Sequence, residues 1–206
     1  VGSSSTGLAI ISKMIEKDDT LIIGGVFDGV GPQTGGGVTF DATTENLKLS
    51  ATLAQIQGTV YAAIPDGSGG WYIGGEFGKV GSATRIGIAR INADGSLHPF
   101  TADIAGPNDG YGVYALLIQN NMLYVGGRFD HIRGANRTSL AAIDLTTDTL
   151  TSWQPTIDGI LPYTVVGAVK CLAASGDTLF VGGAFWGANG QSRRHLASYT
   201  ISTGAL

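Results

Sequence analysis

The sequence is poor in charge, in cysteine and in long apolar runs. Charged residues make up 14% of the 206 residues, against about 25% in an average domain. The single cysteine, Cys171, excludes an internal disulfide framework. No apolar run reaches the roughly 18 residues that a membrane helix needs, and the formal net charge of −4 argues against a nucleic-acid surface. We therefore expect no membrane span and no nucleic-acid partner.

The sequence has instead an excess of glycine and an internal repeat. Its 33 glycines show no period of three, which excludes collagen, and a hydrophobic share of 43% excludes disorder. Four similar segments, at 21–27, 71–77, 123–129 and 179–185, each contain a Gly-Gly pair followed two residues later by phenylalanine. These pairs begin at Gly24, Gly74, Gly126 and Gly182, a spacing that indicates a repeat architecture.

Each repeat predicts four short β-strands. Apolar segments alternate with turn sequences such as Pro65-Asp66-Gly67, which places strands near 8–16, 20–27, 36–41, 47–53 and at the equivalent positions of the later repeats. The second strand is apolar at consecutive positions, as in Tyr124-Val125, so both of its faces should be covered. Four-stranded sheets of this size, packed face to face, predict an all-β β-propeller with almost no helix. Its four consecutive blades are predicted near 1–55, 56–105, 106–158 and 159–206.

The glycine pairs need a physical reason, because glycine weakens a strand. A β-bulge or a close backbone approach between adjacent sheets would supply it, and the following phenylalanine would then fill the space between blades. The alternative is a phosphate-binding glycine loop. Such a loop opens a helix, and no helical pattern follows any of the pairs, so the structural role is favoured.

Residues 85–97, the segment Val113-Tyr-Ala-Leu116 and residues 123–129 resemble the delta-60 repeat of bacterial surface β-propellers. The Tyr-Val-Gly-Gly-x-Phe core is also similar to repeats of kelch-like and fungal cortical-marker propellers. The resemblance covers residues 8–206, although the first repeat has Gly35-Gly-Gly37 where the others carry arginine. It implies a secreted or cell-surface propeller used as a scaffold, adhesive or interaction domain. No catalytic residue set accompanies it.

Two sets of residues are candidates for ligand binding. An arginine stands four residues before the alanine of the third strand in three repeats. A ring of guanidinium groups could bind carboxylates or sulfated glycans, but its repetition favours hydrogen bonds to backbone carbonyls. These arginines are Arg85, Arg137 and Arg193.

The second set breaks the symmetry of the repeat, as a specific site usually does. Trp186 replaces the Asp or Gly of the other repeats, and an exposed aromatic residue beside polar groups can stack on a sugar or anchor a protein. The alternative is a tryptophan packed under its own loop. His131, Arg133 and His195 also occur in one repeat each and complete the set.

No metal site or cofactor is assigned. The three histidines (His98, His131 and His195) lack the spacing of a zinc site. Calcium stays open, because aspartates lie in turns, although no complete twelve-residue calcium loop is present. Cys171 lies in an apolar strand and is predicted to be a buried, inert thiol. The turn aspartates are Asp94, Asp109, Asp148 and Asp177.

Two functional hypotheses follow. The first is a non-catalytic extracellular or cell-surface module that binds a protein or glycan through loops on one face. The second is a propeller-framework hydrolase, lyase or oxidase acting on glycans at axial loops, which would need clustered acids, histidines or metal ligands.

The last repeat predicts how the chain assembles. It reaches Leu206, which aligns with the first residue of the fourth strand at Leu150. A larger propeller, with apolar end faces, is therefore expected. Such faces favour self-association or packing against further parts of a longer chain.

Overall fold

The computed structural model describes residues 10–17, 20–26, 37–41, 46–47, 54–106, 111–159 and 167–206. All the regular secondary structure in these ranges is β-strand, and no membrane-spanning helix occurs among them. The strands form four main antiparallel sheets in chain order, as the repeat predicts, and two smaller three-stranded sheets. The all-β prediction is therefore confirmed.

The four sheets share one order of strands, numbered here along the chain. The first strands are β1 (Ile10–Lys17), β5 (Ile56–Pro65), β10 (Gly112–Gln119) and β17 (Ala168–Ser175). The second strands are β2 (Thr20–Val26), β6 (Trp71–Val80), β11 (Met122–Arg128) and β18 (Thr178–Ala184). The third strands are β3 (Gly37–Asp41), β8 (Ile88–Ile91), β14 (Leu140–Asp144) and β21 (Leu196–Thr200).

The fourth strands are shorter than predicted. They are β4 (Asn46–Leu47), a single bridge of Leu97 to Ile91, and β15 (Thr149–Leu150). Residues 48–53, where the first of them was expected to continue, lie outside the described residues.

The sequence did not predict a short hairpin arm between the second and third strands of the later sheets. The third-sheet arm consists of β12 (His131–Ile132) and β13 (Ala135–Asn136), and it pairs with β9 (Ile104–Ala105) of the segment that enters the sheet. The fourth-sheet arm repeats this with β19 (Gly187–Ala188), β20 (Gln191–Ser192) and β16 (Ile157–Asp158). In the second sheet, β7 (Ala83–Thr84) extends β6 in the same way. The arms add polar loops at each junction between sheets.

The β-bulge proposed for the glycine pairs is present, whereas toward the next sheet the pair meets a side chain, as Gly74 meets Val113. The first strand of every sheet changes register opposite its pair, as between Val113 and Ala115 in β10. A side chain on Gly127 would collide with the carbonyl oxygen of Gly112. The bulge therefore brings two backbones together where only glycine fits.

Three apolar cores join consecutive sheets. We call the face of a sheet that lies toward the next sheet its forward face, and the other its backward face. The forward-face residue Ile22 of the first sheet packs with Val60 of the second. Tyr72 and Val113 do the same at the next junction, and Tyr124 and Val169 at the third. The phenylalanines after the glycine pairs fill these cores as predicted, since Phe77, Phe129 and Phe185 are at most 5% exposed.

The prediction that both faces of each sheet are covered fails at the two ends. The ring of Phe180, on the forward face of the fourth sheet, is 43% exposed, whereas the equivalent Tyr72 and Tyr124 are 3% and 2% exposed. Cys171 lies on the same face and is exposed, so the prediction of a buried thiol is wrong. Its strand is as apolar as the others, but no described sheet packs over that face.

Candidate functional site

The repeated arginines bind backbone carbonyls in the second and third sheets. Arg85 donates from Nε to the carbonyl of Phe100 at 3.1 Å. Arg137 donates from Nη2 to the carbonyl of Thr151 at 2.7 Å. Each guanidinium thus holds the third-strand region to the outer segment of its own sheet, which is the structural alternative considered for them. A ligand role for these arginines stays a prediction.

Trp186 and Arg193 lie in the arm of the fourth sheet. The indole of Trp186 is 37% exposed, and the guanidinium carbon of Arg194 lies 4.6 Å from the ring centroid. Arg193 donates to the side chain of Gln191 at 3.1 Å and from its backbone to the carbonyl of Trp186. Trp186 is therefore exposed beside polar groups, with an arginine stacked on its ring.

The other symmetry-breaking residues are each engaged locally. Nδ1 of His131 lies 2.6 Å from a carboxylate oxygen of the neighbouring Asp130. His195 has a positive φ of 67°, and its Nδ1 lies 3.1 Å from the carbonyl oxygen of Gly183. Arg133 binds both the carbonyl and the carboxylate of Asp148. These contacts place the three residues in separate local networks.

Arg133 also helps to fill the space between the second and third sheets. The rings of Tyr72 and Phe100 meet edge to face, with centroids 5.2 Å apart. The guanidinium of Arg90 covers Tyr72 and donates to the carboxylate of Asp66 at 2.8 Å. The guanidinium of Arg133 lies over Phe100 at 5.2 Å. Two cations therefore occupy this junction.

The equivalent space between the third and fourth sheets is open. Tyr124 and Trp153 repeat the edge-to-face pair, with centroids 5.4 Å apart. Ala142, which pairs with Tyr124, stands where Arg90 pairs with Tyr72. Asn189, at the tip of the arm, stands where Arg133 lies. Ala142 lines the cleft of about 410 Å³ that remains at this junction, whereas the side chain of Asn189 is hydrogen bonded to the backbone of Thr156 and Gly204.

The cleft combines an aromatic wall with neutral hydrogen-bonding groups. Trp153, Tyr124 and Met122 supply its apolar surface, and Asn120 and Thr151 are among the amides and hydroxyls that line it. None of its lining side chains carries a formal charge. Burial raises the pKa of Tyr124, and Asp177 adds to the rise, so the phenol stays neutral. Such a surface suits an uncharged ligand with both apolar faces and hydroxyl groups.

The adjacent Arg90 network differs in its electrostatics. Desolvation by burial and the charge of Arg90 lower the pKa of His98. The histidine is therefore a neutral acceptor near pH 7, and it receives the backbone N–H of Phe100 at 3.0 Å. This cation-rich junction contrasts with the uncharged cleft one repeat later.

Sequence reasoning missed the cleft, although a signal for it existed. Trp153 stands three residues after Leu150, as Phe100 stands three residues after Leu97, and this aromatic position is not among the candidate binding residues. Alignment of the repeats would have shown neutral Ala142 and Asn189 replacing Arg90 and Arg133. Of these two positions, Ala142 lines the cleft, so the exchange of Arg90 for alanine is the signal that the sequence offered.

Acidic side chains in the described turns are engaged with nearby polar groups. Asp177 accepts from the backbone N–H and the hydroxyl of Ser202 at 2.9 and 2.6 Å, and Asp94 accepts from Ser96. Asp109 lies outside the described residues. Within the part of the chain that the structure describes, no three His, Cys, Asp or Glu side chains are grouped to hold a metal ion.

Comparison with known proteins supports the architecture. The family model described as a β-propeller domain of unknown function, DUF5122, matches residues 65–99. The computationally designed Ika4 protein is similar in fold, with a TM-score of 0.54 and 14% identity over 98% of this chain and 99% of that one. None of the curated proteins matches the sequence.

Two bacterial structures show the same likeness in fold. One is the extracellular domain of BT4673 from B. thetaiotaomicron, assigned to the hybrid two-component systems (TM-score 0.54, 14% identity, 94% of this chain and 23% of that one). The other is PorZ of Porphyromonas gingivalis, a bacterial surface component of the type-IX secretion system (TM-score 0.52, 12% identity, 93% of this chain and 26% of that one). The chain thus spans about a quarter of each. Together with the four packed sheets, these comparisons define the chain as a β-propeller.

Proposed function

We propose that this β-propeller is an extracellular or cell-surface binding module that takes a neutral glycan in the cleft between its third and fourth sheets. The open cleft beside Trp153 is the observation that carries the proposal. The partly exposed side chains of Trp153 and Met122 offer apolar contact to a sugar ring. The surrounding hydroxyls and amides can satisfy its hydroxyl groups without a charged partner.

The location is supported by the two bacterial neighbours, which are an extracellular domain and a surface component, and by the resemblance of the repeat to surface propellers. The choice of a neutral over a sulfated glycan is supported by the lining of the cleft, which carries no formal charge. The arginines that would favour sulfate hydrogen bond to the protein itself, as Arg85 does with Phe100.

An array of neutral, carboxylated and sulfated glycans, followed by titration calorimetry of the hits, tests the proposal. We expect neutral glycans to bind and Asn189→Arg to weaken binding by at least about tenfold. This variant copies Arg133, which has a similar positive φ (46° for Asn189 and 51° for Arg133). The side chain of Asn189 accepts from the backbone N–H of Thr156 at 2.8 Å and donates to the carbonyl of Gly204 at 3.0 Å. The variant loses both bonds, so its thermal unfolding is compared with that of the native chain.

Two further variants sharpen the result. Ala142→Arg copies Arg90 and fills the cleft from the third strand, so it should also abolish binding. Trp186→Ala removes the exposed indole of the arm, and we expect it to leave binding unchanged. Loss of binding in Trp186→Ala with retention in Asn189→Arg would place the ligand on the loop surface instead and refute the cleft.

A further inference from the structure

The two exposed end faces of the propeller are opposite halves of one type of interface. The forward face of the fourth sheet exposes Phe180 and Leu196, at 43% and 64%. The backward face of the first sheet exposes Ile11 and Met14, at 56% and 58%. Each of these side chains occupies a position that is buried at the junctions inside the chain.

The internal junctions define how such faces fit. A methyl carbon of Val113 lies 2.5 Å from where a Cβ on Gly74 would stand, and a methyl carbon of Leu116 lies 3.4 Å from the same point. Val169 and Leu172 occupy the space above Gly126 at the same two distances. A branched side chain and a second apolar side chain from one sheet thus fill the space that glycine leaves in the preceding sheet.

The first sheet carries the inserting half of this interface without a partner. Ile11 pairs with Gly25 as Val113 pairs with Gly127. Met14 pairs with Ile23 as Leu116 pairs with Val125. Ile11 is β-branched like valine, and Met14 is as long as leucine and more adaptable, so both retain the shape of the inserting pair.

The fourth sheet carries the receiving half. Gly182 stands in the position of Gly74 and Gly126, but no valine of the described residues covers it, and the nearest described side-chain atom is Sγ of Cys171. Phe180 and Leu196 replace Tyr124 and Leu140, which are at most 2% exposed. The described side chains of this face are uncharged, so burying them carries no cost of ion desolvation.

We propose that the forward face of the fourth sheet binds the backward face of the first sheet of a second copy of this chain, so that Ile11 of one copy covers Gly182 of the other. Two copies make this head-to-tail contact twice and close a ring of eight sheets. Eight is the upper end of the usual range of blade numbers, and a closed contact buries both apolar faces.

Light scattering coupled to size exclusion tests the pairing. The chain should elute at about 42 kDa, twice the 21.1 kDa of one copy. Ile11→Asp and Leu196→Asp place a charge on opposite halves, and each should weaken the dimer at least about 30-fold. Ser192→Asp, exposed in the fourth-sheet arm, adds the same charge away from both faces and should stay dimeric.

Mixing the two variants separates head-to-tail contact from a symmetric one. A mixed dimer of Ile11→Asp with Leu196→Asp retains one contact in which both halves are intact. The 1:1 mixture should therefore regain dimer that neither variant forms alone. A contact between two identical faces would leave every mixed pair damaged, so failure of the mixture to regain dimer would overturn the proposal.

A disulfide gives a readout that does not depend on a destabilising charge. Sγ of Cys171 lies 2.5 Å from the Cβ position of Gly182, where Ile11 of the partner copy would insert. Ile11→Cys should therefore form a reducible bond between chains under mild oxidation. Ile11→Cys combined with Cys171→Ser should not, and the native chain should not cross-link through Cys171 alone.

A 42 kDa native particle, monomeric charge variants, a rescued mixture and the Ile11→Cys cross-link support the pairing. A native chain that stays a 21 kDa monomer at all concentrations overturns it, whether because the chain closes on itself or because another segment covers the faces. A mass that keeps rising beyond 42 kDa with concentration overturns the closed dimer.

Discussion

A methyl group of Val169 lies in the space that a side chain on Gly126 would occupy. Its Cγ1 carbon stands 2.5 Å from the Cβ position of that glycine, far inside van der Waals contact. The same contact recurs between Val113 and Gly74. The spacing of consecutive sheets is therefore set by a branched side chain that packs against bare backbone. The repeated glycines are the positions where this packing occurs.

Gly126→Ala should destabilise the protein by about 2–3 kcal/mol, because the added methyl group must displace Val169 from a packed junction. Gly182→Ala is the matched control, since among the described residues its one nearby side chain is the exposed Cys171, which can rotate away. Its cost should stay below about 1 kcal/mol. Urea denaturation of single chains at low concentration measures both, and equal losses would contradict the packing argument.

Ser139 links the third sheet to the segment that enters the fourth. Its buried hydroxyl donates to the carbonyl of Gly167, and its backbone has a positive φ of 63°. Ser139→Ala should cost about 1–3 kcal/mol, since that carbonyl loses its buried donor. Ser139→Gly loses the same bond but relaxes the left-handed backbone, so it should cost about 1 kcal/mol less. Thermal unfolding of the pair provides the test, and a neutral Ser139→Ala would show that the bond contributes nothing.

Cys171 should react with a thiol reagent in the folded protein. Its position on the forward face of the fourth sheet leaves it exposed. We expect native labelling at nanomolar protein to approach the rate of the unfolded chain, and to slow at least about tenfold at concentrations where the dimer forms. Ile11→Asp should remove this protection. Slow labelling of the dilute native chain would show that another surface covers the thiol.

The sequence predicted the features that recur in all four repeats. The Gly-Gly spacing, the apolar strands beside it and the buried phenylalanines such as Phe129 follow from periodicity and from the properties of glycine. The arms were not predicted, because two-residue ladders such as His131–Ile132 carry no periodicity of their own. Their pairing with Ile104–Ala105 depends on tertiary structure.

The end faces and the cleft show a different limit of sequence reasoning. Phe180 is as apolar as its buried counterpart Tyr124, so no local pattern distinguishes an open face from a covered one. Trp153 belongs to an aromatic position shared with Phe100. What distinguishes its junction is the small side chain of Ala142 in the cleft lining, where Arg90 covers Tyr72 one repeat earlier.

The buried carboxylate of Asp66 should make the free energy of unfolding fall at acid pH. Its side chain is 1% exposed and lies 2.7 Å from the guanidinium of Arg90. Burial alone would raise the pKa of this carboxyl. The hydrogen bonds from Ser68, from Arg90 and from the backbone of Gly70 outweigh burial, and the pKa lies below its ordinary value. The folded state therefore binds the proton more weakly than the unfolded chain, whose aspartates titrate near pH ~3.9.

Because its pKa is lower in the folded state, Asp66 stabilises the fold while its carboxylate is charged. The stabilising contribution of Asp66 should be complete above about pH 5 and should be lost as the pH falls through its lower folded-state pKa. Asp66→Asn should cost about 1.5–3 kcal/mol at pH 7, the range for hydrogen bonds to charged groups. Urea denaturation of both proteins from pH 7 to pH ~2.5 measures the difference in unfolding free energy.

The exposed carboxylates Asp94 and Asp144 are common to both proteins and cancel in that difference. We expect it to be constant from about pH 7 to pH 5 and to shrink below about pH 4. A difference unchanged at the lowest pH would show that the charge of Asp66 does not stabilise the fold.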